Sequence, residues 1–181
     1  GDARGDITSG DGDDIVNIAG YSTGDIELGD GDNQIEIDGK GSGVETGTGA
    51  DTVIMNSYQS DGTVSLGDGD DKLSIDGYAT GEINLGDGND AALIDGTTTR
   101  TIDLGDGNDA IQLGGNASGD IKAGDGDDTV NVEGTTSRTV DLGEGDNKLQ
   151  IDGNAYGDVK SGDGDDQIDI AGYTSRKVET G

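Results

Sequence analysis

Apolar residues recur along this chain with a period of 19 residues. Short glycine–acid turns begin at Gly10, Gly29, Gly47, Gly67, Gly86, Gly105, Gly124, Gly143 and Gly162. With that glycine as position 1, positions 7 and 9 are apolar: Val16 and Ile18, Ile35 and Ile37, Val53 and Met55, Leu73 and Ile75, Ala92 and Ile94, Ile111 and Leu113, Val130 and Val132, Leu149 and Ile151, Ile168 and Ile170. Position 17 is Ile or Val in every copy (Ile26, Val44, Val64, Ile83, Ile102, Ile121, Val140, Val159, Val178). Position 19 is Leu, or small as in Thr46, Ala123 and Ser161. The residues between are mostly polar. Alternation with period two, β-branched side chains and flanking turns predict two short strands per repeat. No stretch carries a helical period.

One repeat cannot bury its own apolar face, but copies stacked at strand spacing can. The pattern therefore predicts an all-β fold, a parallel β-solenoid (β-roll or β-helix) of about nine 19-residue coils. Each coil brings about four inward aliphatics and a small residue at position 13, such as Ala79, Ala117 or Ala155. The glycine spacing falls to 18 once and rises to 20 once. A residue lost near Lys40 to Val44 is read as regained near Asp61 to Val64. The array occupies residues 1–181 as one unit, with half a repeat at the start and a tenth turn opening at Gly181. No capping segment is visible, so the chain reads as part of a longer protein, or as a polymerising one whose open coil ends stack. A two-coil period is also present: TTTRTIDL (97–104) matches TTSRTVDL (135–142), and position 15 alternates Gly81, Arg100, Gly119, Arg138, Gly157, Arg176. Those arginines are expected to bridge neighbouring carboxylates.

Charge changes the picture. There are 40 acidic residues against 10 basic ones, a net charge of −30, with 28% hydrophobic residues and 3% aromatics. Composition alone would place such a chain near the disordered class, so something must neutralise the acids if it folds. An acidic chain repels phosphate backbones, which excludes nucleic acid as a partner. No apolar run approaches the length needed for membrane insertion. The absence of His and Cys excludes imidazole acid–base chemistry and thiol, haem or zinc sites. Catalytic sites are singular, whereas these carboxylates repeat identically with no cleft-forming insertion, so an enzyme is not expected.

The turns carry the candidate chemistry. Positions 1 to 5 read GDGDD, GDGDN, GTGAD, GDGDD, GDGND, GDGND, GDGDD, GEGDN and GDGDD. Position 5 is Asp in seven copies and Asn in two. Stacked coils set these oxygens in a row, where bare carboxylates repel. Oxygen donors from side chains and carbonyls suit Ca²⁺, which takes 6–8 of them in flexible geometry; Mg²⁺ demands a strict octahedron. An EF-hand loop starting at Asp68 is excluded, because Leu73 and Ala79 stand where Gly and Glu would be needed.

GDGDDKLSI (67–75) resembles the calcium-binding RTX nonapeptide G-G-x-G-x-D-x-U-x, without its first glycine. Only one turn per coil has the motif; DGYATG (76–81) lacks it. This one-sided 19-residue pattern is similar to the calcium-bound β-solenoid modules of giant bacterial RTX adhesins, among them an ice-binding module with turns reading G-T-G-N-D. The resemblance implies a calcium ladder along one edge, with roughly one ion per adjacent pair of coils. It implies side-chain ligands at Asp14, Asn33, Asp51, Asp71, Asp90, Asp109, Asp128, Asn147 and Asp166, the two Asn sites weaker but occupied. It implies backbone carbonyl ligands in the turns, at Gly10, Gly12, Gly29, Gly31, Gly47, Gly49, Gly67, Gly69, Gly86, Gly88, Gly105, Gly107, Gly124, Gly126, Gly143, Gly145, Gly162 and Gly164.

Positions 2 and 4 form an outward row: Asp11, Asp13, Asp30, Asp32, Asp68, Asp70, Asp87, Asn89, Asp106, Asn108, Asp125, Asp127, Asp163 and Asp165. In the ice-binding module this row is Thr and Asn; here carboxylates hydrate it too strongly to order a water lattice. The opposite turn is rich in Ser, Thr and Tyr: YST (21–23), YAT (78–80), TTT (97–99), TTS (135–137), YTS (173–175). ARGD (3–6) falls in register as an ordinary turn. The expected function is a calcium-dependent structural rod, an adhesin or extracellular-filament module, secreted or at the cell surface. The alternative is an ice-binding, glycan-binding or surface-binding module on the same scaffold.

Overall fold

The computed structural model describes residues 1–56 and 59–181. It is a β-solenoid built from 21 short strands, with no helix among the described residues. The coil at Gly105 shows the path. The turn Gly105–Asp109 leads into the strand Ala110–Leu113. The chain bends at Gly114 and Gly115, makes a single bridge at Ala117, and enters the strand Ile121–Lys122. Ala123 then closes the coil.

Strands of four residues stack in parallel into a nine-stranded sheet, from Ile15–Ile18 to Gln167–Ile170. Strands of two residues stack into a ten-stranded parallel sheet, from Ile7–Thr8 to Val178–Glu179. A third line of single bridges runs through Ala79, Thr98, Ala117, Thr136, Ala155 and Thr174. Each residue lies over its own counterpart: Ile111 pairs with Val130, Ile102 with Ile121. Alternate side chains of a strand point to opposite faces, so positions 7, 9, 17 and 19 fill the space between the sheets. Ile94, Leu104, Leu113, Val130 and Val140 are 0% exposed. β-Branched side chains suit this pleated, buried setting. Position 13 completes the core, and here Ala alternates with Thr98 and Thr136, whose buried hydroxyls have no partner.

The structure changes two details. Ile26 pairs with Val44, 18 residues on, which places the lost residue as expected. Met55 pairs with Ile75, 20 on, while Ser60 in the Gln59–Ser60 strand pairs with the 78–79 strand at 19. The register is therefore already back to 19 at Ser60, so the extra residue precedes Ser60 rather than lying near Asp61 to Val64. The arginines do not bridge carboxylates. Arg100, Arg138 and Arg176 are exposed and make no ion pair among the described residues. The residues stacked on them at position 15 are glycines, which offer no carboxylate. The cations that do pair include Lys40 with Asp61 at 2.6 Å and Lys122 with Asp103 at 3.0 Å.

Leu104→Ala removes a fully buried side chain and is expected to lower stability by about 2–5 kcal/mol. Gln112→Ala, on the exposed face of the neighbouring strand, should stay within ~0.5 kcal/mol. Thermal unfolding of both variants beside the parent checks the assignment of the two faces.

Candidate metal centre

The turn conformation comes first from glycine. Position 3 has positive φ in all nine coils, between 114° and 151°, where side chains are disfavoured. Stacking makes a second demand: a Cβ on Gly107 would overlap the carbonyl oxygen of Gly88. The turns are tied to each other as well as packed, since Gly88 N donates to Asp106 O at 2.8 Å and Gly107 N to Asp125 O at 2.8 Å.

These turns direct the position-5 side chains inward. Asp51, Asp71, Asp90, Asp109 and Asp128 are 1–2% exposed, as are Asn33 and Asn147. Asp14 and Asp166, in the end coils, are half-buried. Each Oδ1 accepts a hydrogen bond from the position-5 backbone N–H of the coil before it. The distances are 2.7 Å from Asp51 to Asp71 and from Asp71 to Asp90, and 2.8 Å from Asp90 to Asp109 and from Asp109 to Asp128. The ladder continues through the asparagines: Asn33 N donates to Asp51 Oδ1, Asp14 N to Asn33 Oδ1, Asp128 N to Asn147 Oδ1 and Asn147 N to Asp166 Oδ1.

The second oxygen is the unsolved part. Oδ2 of Asp51, Asp71, Asp90, Asp109 and Asp128 is buried without any hydrogen-bond donor. The carbonyls of positions 1 and 3 in these turns, such as Gly67 and Gly69 or Gly105 and Gly107, also accept no hydrogen bond among the described residues. In the two Asn turns the corresponding atom is an amide. Asn33 Nδ2 donates to Gly29 O at 3.1 Å and Gly31 O at 2.9 Å. Asn147 Nδ2 makes the same pair to Gly143 O and Gly145 O, at 3.4 and 3.2 Å. Because Oδ1 is held alike in both kinds of turn, the Asp Oδ2 stands where the amide nitrogen does, beside two carbonyl oxygens. A buried acceptor facing acceptors is costly. Among the described residues no three acidic side chains gather at one point. The donor set is therefore one carboxylate plus backbone oxygens per turn, which fits a hard cation.

Burial, the largest influence, raises the carboxyls of Asp71, Asp90 and Asp109 from 3.8 to about 7, against the lowering effect of their backbone N–H bonds. Neighbouring carboxylates push the same way, and Asp128 is raised to about 6. Outward-facing Asp70 is shifted the other way, downward, because Asn89 donates to it from both backbone and side chain.

All the predicted outward residues of positions 2 and 4 are exposed. The position-4 row has a ladder of its own that the sequence reading missed. Here each side chain accepts from the next coil rather than the preceding one: Asn108 N to Asn89 Oδ1 at 3.0 Å, Asp127 N to Asn108 Oδ1 at 2.7 Å, Asp146 N to Asp127 Oδ1 at 2.8 Å. Ala50 interrupts it. The signal for both ladders was in the sequence, an Asx residue at nearly every stacked position of the turn.

Without metal, burial of these acids makes the stability of the chain depend on pH. Folded carboxyls raised to about 6–7 against 3.8 favour the folded state below about pH 4. That contribution is lost as pH rises through 6 to 7. Chelator-treated protein is expected to show more strand signal by circular dichroism at pH 4 than at pH 8; equal signals would contradict the buried-acid geometry.

No protein-family model matches this sequence, and no curated protein does. Among solved structures, the fold matches a hyperactive, Ca²⁺-dependent, β-helical antifreeze protein from an Antarctic bacterium. The TM-score is 0.75 at 21% identity, covering 95% of this chain and 68% of that one. At this identity the likeness establishes the β-solenoid fold.

Proposed function

We propose that this chain is a calcium-folded structural rod, a β-solenoid module of RTX type that works outside the cell. One observation carries the reading: five successive buried carboxylates each leave an oxygen without a donor, in turns whose position-1 and position-3 glycine carbonyls lack one as well among the described residues. A row of cations along that edge satisfies all three kinds of oxygen and offsets part of the −30 charge. The all-oxygen, mostly neutral set favours Ca²⁺ over Mg²⁺, and the Ca²⁺ dependence of the structurally similar antifreeze protein agrees.

The consequence is a conditional fold. Ion binding and folding are one equilibrium when the site exists only in the folded chain. Extracellular modules bind calcium at roughly 10⁻⁴–10⁻³ M, so the chain stays open where calcium is scarce and folds after export by mass action. The rod then spaces or displays neighbouring segments, as in an adhesin or filament. It has no catalytic role in this reading.

A second reading is ice binding, favoured by the activity of the same structural neighbour. The charged turns argue against that edge as the binding face. The opposite edge suits it better: Thr97 and Thr99, Asn116 and Ser118, Thr135 and Ser137 stack as uncharged pairs flanking the bridge line at position 13. The same pairs suit a glycan.

Circular dichroism during a calcium titration, with chelator reversal and magnesium as control, tests the main reading. The expected result is a cooperative coil-to-strand transition specific to calcium. A chain with full strand content in chelator at neutral pH would overturn it. Thermal hysteresis of the calcium-loaded protein separates the second reading, which requires a measurable gap that the rod alone does not produce.

A further inference from the structure

Seven consecutive position-5 side chains are buried, and the run begins and ends in asparagine: Asn33, then Asp51, Asp71, Asp90, Asp109 and Asp128, then Asn147. All seven spend Oδ1 on the same backbone N–H. They differ only at the second atom. In the five Asp turns it is an acceptor with no donor. In the two Asn turns it is an N–H₂ group already shared between the carbonyls of positions 1 and 3. An amide nitrogen carries partial positive charge and two donors. It meets the same two carbonyls that a cation would meet, with no net charge and no ion. A cation added there would find a donor, not an oxygen, and both carbonyls taken.

We propose that Asn33 and Asn147 fill the cation's place with their own amides, so that the ion row spans the five Asp turns between them and omits the second and eighth turns. This rests on the calcium reading above. It replaces the sequence expectation of weaker, occupied Asn sites with turns that close by themselves. The physical reason is that Asn is isosteric with Asp but complementary to it: what the carboxylate needs from outside, the amide supplies. Two amide turns therefore bound the row of buried charge, and the coils stack through them without a break, since Asn33 N still donates to Asp51 Oδ1 at 2.8 Å and Asp128 N to Asn147 Oδ1 at 2.9 Å.

The test counts ions. Protein stripped with chelator and refolded in calcium is weighed by native mass spectrometry. Asn33→Asp and Asn147→Asp are each expected to gain one bound calcium over the parent, and Asp109→Asn to lose one. A fourfold variant, Asp71→Asn with Asp90→Asn, Asp109→Asn and Asp128→Asn, should bind four fewer ions. It should also keep in chelator, at neutral pH, the strand signal that the parent loses. A parent that binds calcium while Asn33→Asp and Asn147→Asp leave the count unchanged overturns this inference alone. So does a fourfold variant that folds only with calcium. A parent that binds no calcium overturns the underlying reading as well, and is seen as such because its count is zero before any substitution is made.

Discussion

In-register parallel stacking is the constraint from which the rest of this solenoid follows. Each residue sits over its own counterpart in the next coil, 18 to 20 residues on and one strand spacing away. For apolar positions this is an advantage, because like packs on like: Ile102 on Ile121, Ile111 on Val130. For charged positions it is a difficulty, because an acid repeated in successive coils, such as Asp71, Asp90 and Asp109, acquires acidic neighbours above and below. A chain with net charge −30 cannot adopt this fold without resolving the conflict in every coil.

The structure resolves it differently on the two faces of the same turn. Outward, at positions 2 and 4, water screens the charges, and at position 4 the side chain accepts a backbone N–H from the next coil. Inward, at position 5, the side chain accepts a backbone N–H from the preceding coil, and water is excluded. The two ladders run in opposite directions along the rod, so each turn is held to both neighbours. The inward ladder satisfies half of each carboxylate. The other half accepts a proton, a cation or, by substitution, an amide. These three are chemically interchangeable here because all place positive charge between the same oxygens.

The fold was legible because its signal is repeated: a period-two apolar pattern recurring nine times leaves little freedom in strand order or facing. The inward placement of position 5 was legible for the same reason. What the sequence hid is what depends on one atom or one residue. The extra residue of the third coil could sit anywhere between two fixed strands, and only the pairings of Met55 and Ser60 place it. The arginines looked like partners for abundant acids, yet stacking sets Arg100 and Arg138 over glycines. Asn33 looked like a weakened Asp, because in sequence both are oxygen donors. Only the structure shows Nδ2 aimed at Gly29 and Gly31.

The inward ladder also decides how binding energy spreads along the rod. In a solenoid, stability is a sum of coil terms and nearest-neighbour interface terms. The position-5 side chain of one coil is hydrogen-bonded to the backbone of the coil before it, so under the proposed calcium reading an ion held by Asp90 would order Asp71 as well, and through it the turn at Gly67. Occupancy at one turn thus lowers the ordering required at the next, and the interface term is where the ion's free energy appears. The backbone bonds and the apolar core also join neighbouring coils, but both are satisfied whether or not Oδ2 has a partner, so by themselves they would not couple the turns to an ion. Under the proposed calcium reading, the orphan oxygen is what would make folding of the whole array respond to a dissolved ion.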